Sequence, residues 1–223
     1  GTGGPTWSRA TKAWGFNERG YLRDVPSGCA VLEGARLVKN TIRTTSEDFS
    51  NASAWNKTGS LTTPSANSLV CANATSAQYI GQVAVSPPPT TIGQGFIYGV
   101  RVRSVSGGVP AIQLAPSSLG FGTGQFANIS LTDGSVSATG CTAVSNLVAA
   151  GTYDFAIAVT ATANHATGEA FSIVLADSKA ATRLAAFTGD GIKSVDILRA
   201  WSIEVTGYPS SYAPEYVSVG SSV

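Results

Sequence analysis

Three stretches of this chain alternate apolar and other residues with a period of two, and this pattern constrains the fold more than any other feature. The stretches are residues 96–103, 153–160 and 195–205. In the first stretch, one face carries Phe96, Tyr98, Val100 and Val102. In the second, one face carries Tyr153, Phe155, Ile157 and Val159. In the third, we assign to one face Val195, Ile197, Trp201, Ile203 and Val205. Such alternation, rich in β-branched and aromatic residues, predicts half-buried β-strands.

Shorter segments with strand character occur throughout the chain. We predict further strands near residues 38–45, 67–72, 77–85, 110–115, 125–131, 135–138 and 170–176. Glycine- and proline-containing turn signals separate them, and no ten-residue window has a helical period. Many short strands in a chain of 223 residues predict an all-β, antiparallel, two-sheet sandwich.

Two segments flank the predicted sandwich, which we place at residues 38–206. Residues 1–37 lack a sustained period but contain aromatic side chains, so we predict an extended N-terminal arm. Residues 207–223 contain prolines and serines and predict an extended C-terminal tail. The aromatic residues that we expect to make assembly contacts are Trp7, Trp14, Phe16, Tyr208, Tyr212 and Tyr216.

The chain carries few charges. Charged residues make up 12% of it and the net charge is +1, whereas about 25% is usual. A nucleic-acid binder would carry a basic excess, and no run of about 18 apolar residues is present to span a membrane, so we expect neither partner. Weak electrostatic repulsion between copies suits a protein that works in an assembly.

The three cysteines, Cys29, Cys71 and Cys141, are widely spaced. Zinc sites use closer pairs and disulfide-stapled folds use more cysteines, so we expect three buried thiols. One disulfide with one free thiol is the alternative. The chain begins at Gly1 and contains no methionine, which is consistent with processing or with a truncated start.

Six segments together resemble one family of proteins. They are residues 6–12 (TWSRATK), 17–22 (NERGYL), 34–36 (GAR), 46–57 (SEDFSNASAWNK), 200–205 (AWSIEV) and 209–220 (PSSYAPEYVSVG). In this order they resemble the opening and closing blocks of a family of tailed-bacteriophage virion proteins. One departure is that Ser202 and Ile203 follow Trp201, where the family often has Gly and Gln.

The resemblance implies a jelly-roll sandwich, similar to carbohydrate-binding modules, that serves as a structural part of a virion. We therefore expect a non-enzymatic accessory protein of the capsid or tail, a decoration or fibre part, made in the bacterial host cytoplasm and located in the virion. The expected partners are further copies of itself, as a homotrimer, and other virion proteins. The alternatives are a receptor-binding module for host surface glycan and a polysaccharide depolymerase.

Two sets of side chains are candidate binding sites. Trp55, Tyr79, Arg101 and Arg103 would form a glycan-binding surface. The alternatives are that Trp55 belongs to the core, which suits it better, and that the arginines lie on a solvated or intersubunit face. Glu47, Asp48 and Asp196 would hold a structural calcium ion, as such carboxylates do in carbohydrate-binding modules; the alternative is that Glu47 and Asp48 cap a turn.

No catalytic residue is predicted. Asp196 and Glu204 would share a strand face about 26 Å apart, too far for a glycosidase pair at about 5–10 Å. His165, the single histidine, lies between predicted strands, and no serine or cysteine stands in a nucleophile motif.

Overall fold

A computed structural model of the chain describes residues 13–16, 22–25, 46–82, 90–165 and 170–205, and for the first two ranges it describes the backbone alone. The chain divides into two compact units, Gly1–Val38 and Lys39–Val223. In the first unit, strands β1 (Ala13–Phe16) and β2 (Leu22–Val25) pair as an antiparallel hairpin. The segment predicted as an N-terminal arm thus contains a hairpin.

The regular secondary structure in the described part of the second unit consists almost entirely of strands. The elements are β3 (Trp55–Thr58), β4 (Ser68–Val70), β5 (Thr75–Ser76), β6 (Tyr79–Gln82), β7 (Gly95–Ser104), β8 (Ala111–Pro116), α1 (Ser118–Phe121), β9 (Phe126–Ser130), β10 (Val136–Thr139), β11 (Thr142–Ala149), β12 (Thr152–Thr160), β13 (Phe171–Ala176), β14 (Phe187–Thr188) and β15 (Ser194–Glu204).

These strands form two large antiparallel sheets. One has six strands in the order β10-β9-β8-β13-β6-β3, and the other has five in the order β11-β12-β7-β15-β4. Strands β3, β4, β6, β7 and β8 alternate between the two sheets along the chain, as is typical of jelly-roll sandwiches. The predicted all-β antiparallel sandwich is confirmed.

The hydrophobic core lies between the two sheets. Tyr98 of β7 stacks on Phe171 of β13 with ring centroids 4.9 Å apart, so an aromatic pair joins the five-stranded sheet to the six-stranded one. Trp55 is fully buried and packs against Phe49 at 4.8 Å and against Phe171 at 6.1 Å. Such aromatic pairs contribute about 0.5–1.5 kcal/mol each beyond the area that they bury.

The strongest sequence patterns correspond to the longest strands. The stretches at residues 96–103, 153–160 and 195–205 are strands β7, β12 and β15. Strands β3 and β11 were not predicted, and the strand predicted at residues 38–45 lies outside the described residues.

The prediction that Val195, Ile197, Trp201, Ile203 and Val205 share one face is wrong. A β-bulge between Ile197 and Arg199 shifts the register. Val195 and Ile197 therefore point into the core, whereas Trp201 pairs with Gly99 on the outer side of the sheet. The same bulge separates Asp196 and Glu204, which we had placed on one face.

Candidate functional site

The outer side of the five-stranded sheet carries a row of charges. Because Val100 points into the core, its neighbour Arg101 points outward. The strand register places Asp154 of β12 and Arg199 of β15 on either side of Arg101. One row along, Arg103 lies opposite Asp196. We call Arg101, Arg103, Asp154, Asp196 and Arg199 the charged face.

Ion pairs connect neighbouring strands across the charged face. Arg101 donates from Nε and Nη2 to the two carboxylate oxygens of Asp154, at 2.7 Å each. Arg103 donates to Oδ2 of Asp196 at 3.0 and 2.6 Å, and Arg199 lies 3.6 Å from Asp154. The hydrogen bond to Asp154 raises the pKa of Arg101, although burial opposes it. Each aspartate of the charged face is thus bound by at least one arginine.

A buried tryptophan lies beside the charged face. The ring of Trp201 lies across Gly99, where an added Cβ would come 2.1 Å from the ring, so only glycine fits under it. The guanidinium carbon of Arg199 lies 5.9 Å from the centre of the Trp201 ring, within cation–π range. Because Trp201 is buried, it offers no open ring for a sugar.

The structure does not bring the predicted glycan-binding residues together. Trp55 is completely buried in the core, so its assignment to a binding surface is corrected: an indole with no exposed area cannot stack on a sugar. Tyr79 lies on β6 of the six-stranded sheet, whereas Arg101 and Arg103 lie on β7 of the other sheet. The outer sides of the two sheets face away from each other, so Tyr79 is separated from the arginines.

The predicted calcium ligands make other contacts. Oδ1 of Asp48 accepts hydrogen bonds from the backbone and the hydroxyl of Ser50, at 3.0 and 2.5 Å, and thus caps a turn. Asp196 is paired with Arg103. Among the described residues, no three His, Cys, Asp or Glu side chains are grouped to hold a metal ion, so Glu47, Asp48 and Asp196 are not brought together as a metal site.

On the six-stranded sheet, two buried amides hold a loop against the outer side. Gln113 of β8 donates to the carbonyl of Thr182 at 3.1 Å and accepts from the backbone of Leu184 at 2.8 Å. Asn128 of β9 donates to the carbonyls of Lys179 and Ala181 at 3.1 and 2.9 Å. Gln113 also donates to Asn128 at 2.8 Å. We call residues 177–186 the clamped loop.

The clamped loop carries Arg183, a half-buried arginine that the sequence analysis did not select. Its Nη2 donates to the carbonyl of Pro116 at 2.7 Å, but its Nε is buried without a hydrogen-bond partner. Burial lowers the pKa of Arg183, and the phenol of Tyr79 acts in the opposite direction. Gln113, the one polar residue in an apolar strand, was the available signal for this site.

The edge strand β11 is the third notable surface. It closes one side of the five-stranded sheet, and only β12 pairs with it among the described strands. Val144, Leu147 and Val148 are 42%, 68% and 44% exposed. No charged residue or proline occurs in this strand, so a register irregularity between Leu147 and Ala149 is the one protecting feature of an edge that it contains.

A shallow groove of about 810 Å³ lies beside β11. Its lining includes Gly122, Gly124, Gly140, Cys141 and Thr160. Cys141 is a half-buried free thiol, and burial raises its pKa, which disfavours the reactive thiolate.

The remaining predictions concern the other thiols and the arms. Cys71 is a free, buried thiol as expected, and Cys29 lies outside the described residues. Trp14 and Phe16 belong to β1, of which the backbone is described. Trp7, Tyr208, Tyr212 and Tyr216 lie outside the described residues, so their role in assembly stays a prediction.

No protein-family model and no curated protein sequence matches this chain. Within the described residues, no helix is long and apolar enough to cross a membrane.

Proposed function

We propose that this chain is a non-enzymatic structural protein of a bacteriophage virion, an accessory decoration or fibre part of the capsid or tail that works as a homotrimer. The resemblance of residues 5–57 and 195–220 to tailed-phage virion proteins supports the virion assignment. The exposed apolar edge strand β11 supports assembly, and it is the observation that carries the proposal.

Strand β11 is suited to contact with another chain. An edge strand presents unpaired N–H and C=O groups, which water or a partner must satisfy. Val144 and Leu147 add apolar side chains that are 42% and 68% exposed, so their burial would contribute part of the roughly 1.5–3 kcal/mol that complete burial of such a side chain is worth. Because the strand carries no charge, two copies can approach it without electrostatic repulsion. The β11 edge is therefore the surface that we expect the oligomer to cover.

Light scattering coupled to size exclusion tests the oligomer. The wild-type protein should elute with three times the 22.7 kDa of one chain. The double variant Val144→Lys/Leu147→Lys should elute as a monomer, because unpaired charges at an interface that excludes water are strongly unfavourable. Ile192→Lys is the matched control, since Ile192 is 80% exposed but lies away from β11.

A wild-type monomer at micromolar concentration would overturn the assembly proposal. A trimer that the double variant leaves intact would refute the role of β11. Circular dichroism of each variant separates loss of assembly from loss of folding. Gold-labelled antibody on intact phage particles tests the virion assignment, and absence of label from capsid and tail would exclude it.

A further inference from the structure

No described acidic residue pairs with the half-buried guanidinium of Arg183. Among the residues that the structure describes, the ion pairs that form involve Arg101, Arg103, Arg199 and Lys193, and none involves Arg183. Its hydrogen bond to the neutral carbonyl of Pro116 does not neutralise the charge. Buried charges in proteins are normally paired, because their desolvation is unfavourable. The site of Arg183 therefore contains a cation without its anion.

The fold holds this cation in place. Thr182 and Leu184, on either side of Arg183, are both hydrogen-bonded to the buried Gln113. Leu184 has a φ of +51°, a left-handed conformation that is unfavourable for leucine. Strain of this kind persists only where surrounding contacts impose it, and it concentrates at functional sites. Two buried amides and a strained backbone thus position an arginine that makes no ion pair.

The described groups around the position of Arg183 are uncharged, and Val174, between Gln113 and Tyr79 on the outer side, is apolar. Its side chain reaches from the position of Gln113 to Pro116, so it runs along the outer side of β8. On the adjacent strands the outward row contains Ser172 and then Gly81, and Tyr79 lies one row away. A Cβ on Gly81 would come 3.3 Å from the Ser172 hydroxyl, so glycine leaves space beside that hydroxyl. Asn56 and Thr58 of β3 continue these rows.

We propose that Arg183 binds the carboxylate of an acidic saccharide on the outer side of the six-stranded sheet. The Nη1 group, which is not buried and makes no hydrogen bond within the described residues, would donate to the carboxylate, while Tyr79 and Ser172 would contact the sugar ring and its hydroxyls. One cation among neutral hydroxyl, amide and phenol groups matches a sugar with one carboxylate and several hydroxyls. An acidic peptide, with its closely spaced carboxylates, would require more cations. This site does not depend on the oligomer proposed above.

Isothermal titration calorimetry of the full chain tests this proposal. The probes are oligosaccharides that contain galacturonate, glucuronate or sialate, together with the methyl esters of the same compounds. At least one acidic probe should bind, with an affinity that falls as salt rises from 0.05 to 0.5 M. Its methyl ester should bind at least about tenfold more weakly, because esterification removes the charge that Arg183 recognises.

Variants assign the binding to Arg183. Arg183→Gln should weaken the acidic probe at least about tenfold, and Arg183→Lys should restore part of the affinity. Arg103→Gln is the matched control, since Arg103 is exposed and paired on the other sheet, and it should bind as the wild type does. Thermal melting of each variant confirms that it is folded.

Three results would overturn the proposal: no acidic probe binds, Arg183→Gln binds as well as the wild type, or the methyl ester binds as well as the acid. A triglutamate peptide provides the fourth comparison. Its binding at Arg183 with an affinity equal to that of the saccharides would refute the saccharide assignment and indicate a protein partner instead.

Discussion

The arginines on the outer sides of the two sheets differ in how they pair with aspartates. On the five-stranded sheet, Arg101 and Arg103 point from one strand and are paired with aspartates on the neighbouring strands. On the six-stranded sheet, Arg183 comes from a loop that neutral amides hold, and no aspartate in the described part of the chain pairs with it. The charges of the first side thus connect strands, whereas the charge of the second forms no ion pair with any described residue. This contrast is the reason that we place the proposed binding site at Arg183 and not at the more exposed Arg103.

The largest effect is expected from the amide that supports the clamped loop. Gln113→Ala removes hydrogen bonds to Thr182, Leu184 and Asn128 and leaves a cavity, so we expect a loss of about 3 kcal/mol in the free energy of unfolding. It should also abolish binding of the acidic saccharide, because Arg183 loses its support. Urea unfolding measures the first effect and calorimetry the second.

Gln94→Ala is the control, since Gln94 is half-buried and accepts one local hydrogen bond from Thr91 at 2.6 Å. If Gln113→Ala were as stable as Gln94→Ala, the clamped loop would not depend on this amide.

Two outward glycines provide the next contrast between the sheets. Gly99→Ala places a methyl group into the ring of Trp201, so we expect a loss of about 2 kcal/mol from overpacking. Gly81→Ala meets only the Ser172 hydroxyl at 3.3 Å and should change stability by less than about 0.5 kcal/mol. Urea unfolding of the two variants measures both losses in the free energy of unfolding, and equal losses would contradict the close approach of Trp201 to β7.

Asp154→Asn should have a smaller effect. It weakens the bidentate pair with Arg101 and the contact with Arg199, and these groups are about one quarter exposed, so we expect a loss of about 1 kcal/mol. Asp196→Asn should lose less, because its partner Arg103 is 53% exposed. A double-mutant cycle in low and high salt measures both. A larger coupling for Asp196 than for Asp154 would reverse the order that burial predicts.

The smallest expected effect is a dependence of the free energy of unfolding on pH in the acidic range. Hydrogen bonds from Ser135 to Asp133, and from the backbones of Lys193 and Ile192 to Asp190, lower the pKa of each aspartate to about 2. The unfolded value is about 3.9. Since the folded pKa is the lower one, this stabilisation is complete above pH 4 and is lost as the pH falls toward 2.

The variants Asp133→Asn and Asp190→Asn should therefore lose less stability than the wild type between pH 4 and pH 2. Urea unfolding at closely spaced pH values measures this slope. A variant with an unchanged slope would show that its aspartate does not contribute to the acid dependence.

The sequence allowed the fold class to be predicted because half-buried strands alternate visibly. Strand β7 has one face in the core, so its alternating apolar residues, such as Tyr98 and Val100, identify it as a strand. β11 is an exposed edge and lacks that signal, although it is nearly as long. The bulge after Ile197 depends on pairing with β7, which no local pattern reveals. For Trp55 the sequence left the core and a surface both open.

The candidate site was less predictable still. Arg101 and Arg103 were selected as ligand-binding residues, but their pairing with Asp154 and Asp196 depends on strands far away in the sequence. Arg183 was passed over because a single arginine in a loop is ordinary. Its distinction is the absence of an acidic partner, which depends on three-dimensional neighbours. Gln113, a lone amide in an apolar strand, was the one local sign of the support beneath it.

The order of strands has a consequence for how the protein is made on the ribosome. β15, near the end of the chain, pairs with both β4 and β7, and β13 pairs with both β6 and β8. The edges of the early strands therefore stay unpaired until β13 and β15 have been synthesised. Contacts so distant along the chain slow folding and prolong exposure to aggregation. A nascent chain that stopped before Ser194 would leave β4 without its only partner among the described strands, so we expect the sandwich to close only after β15 has been synthesised.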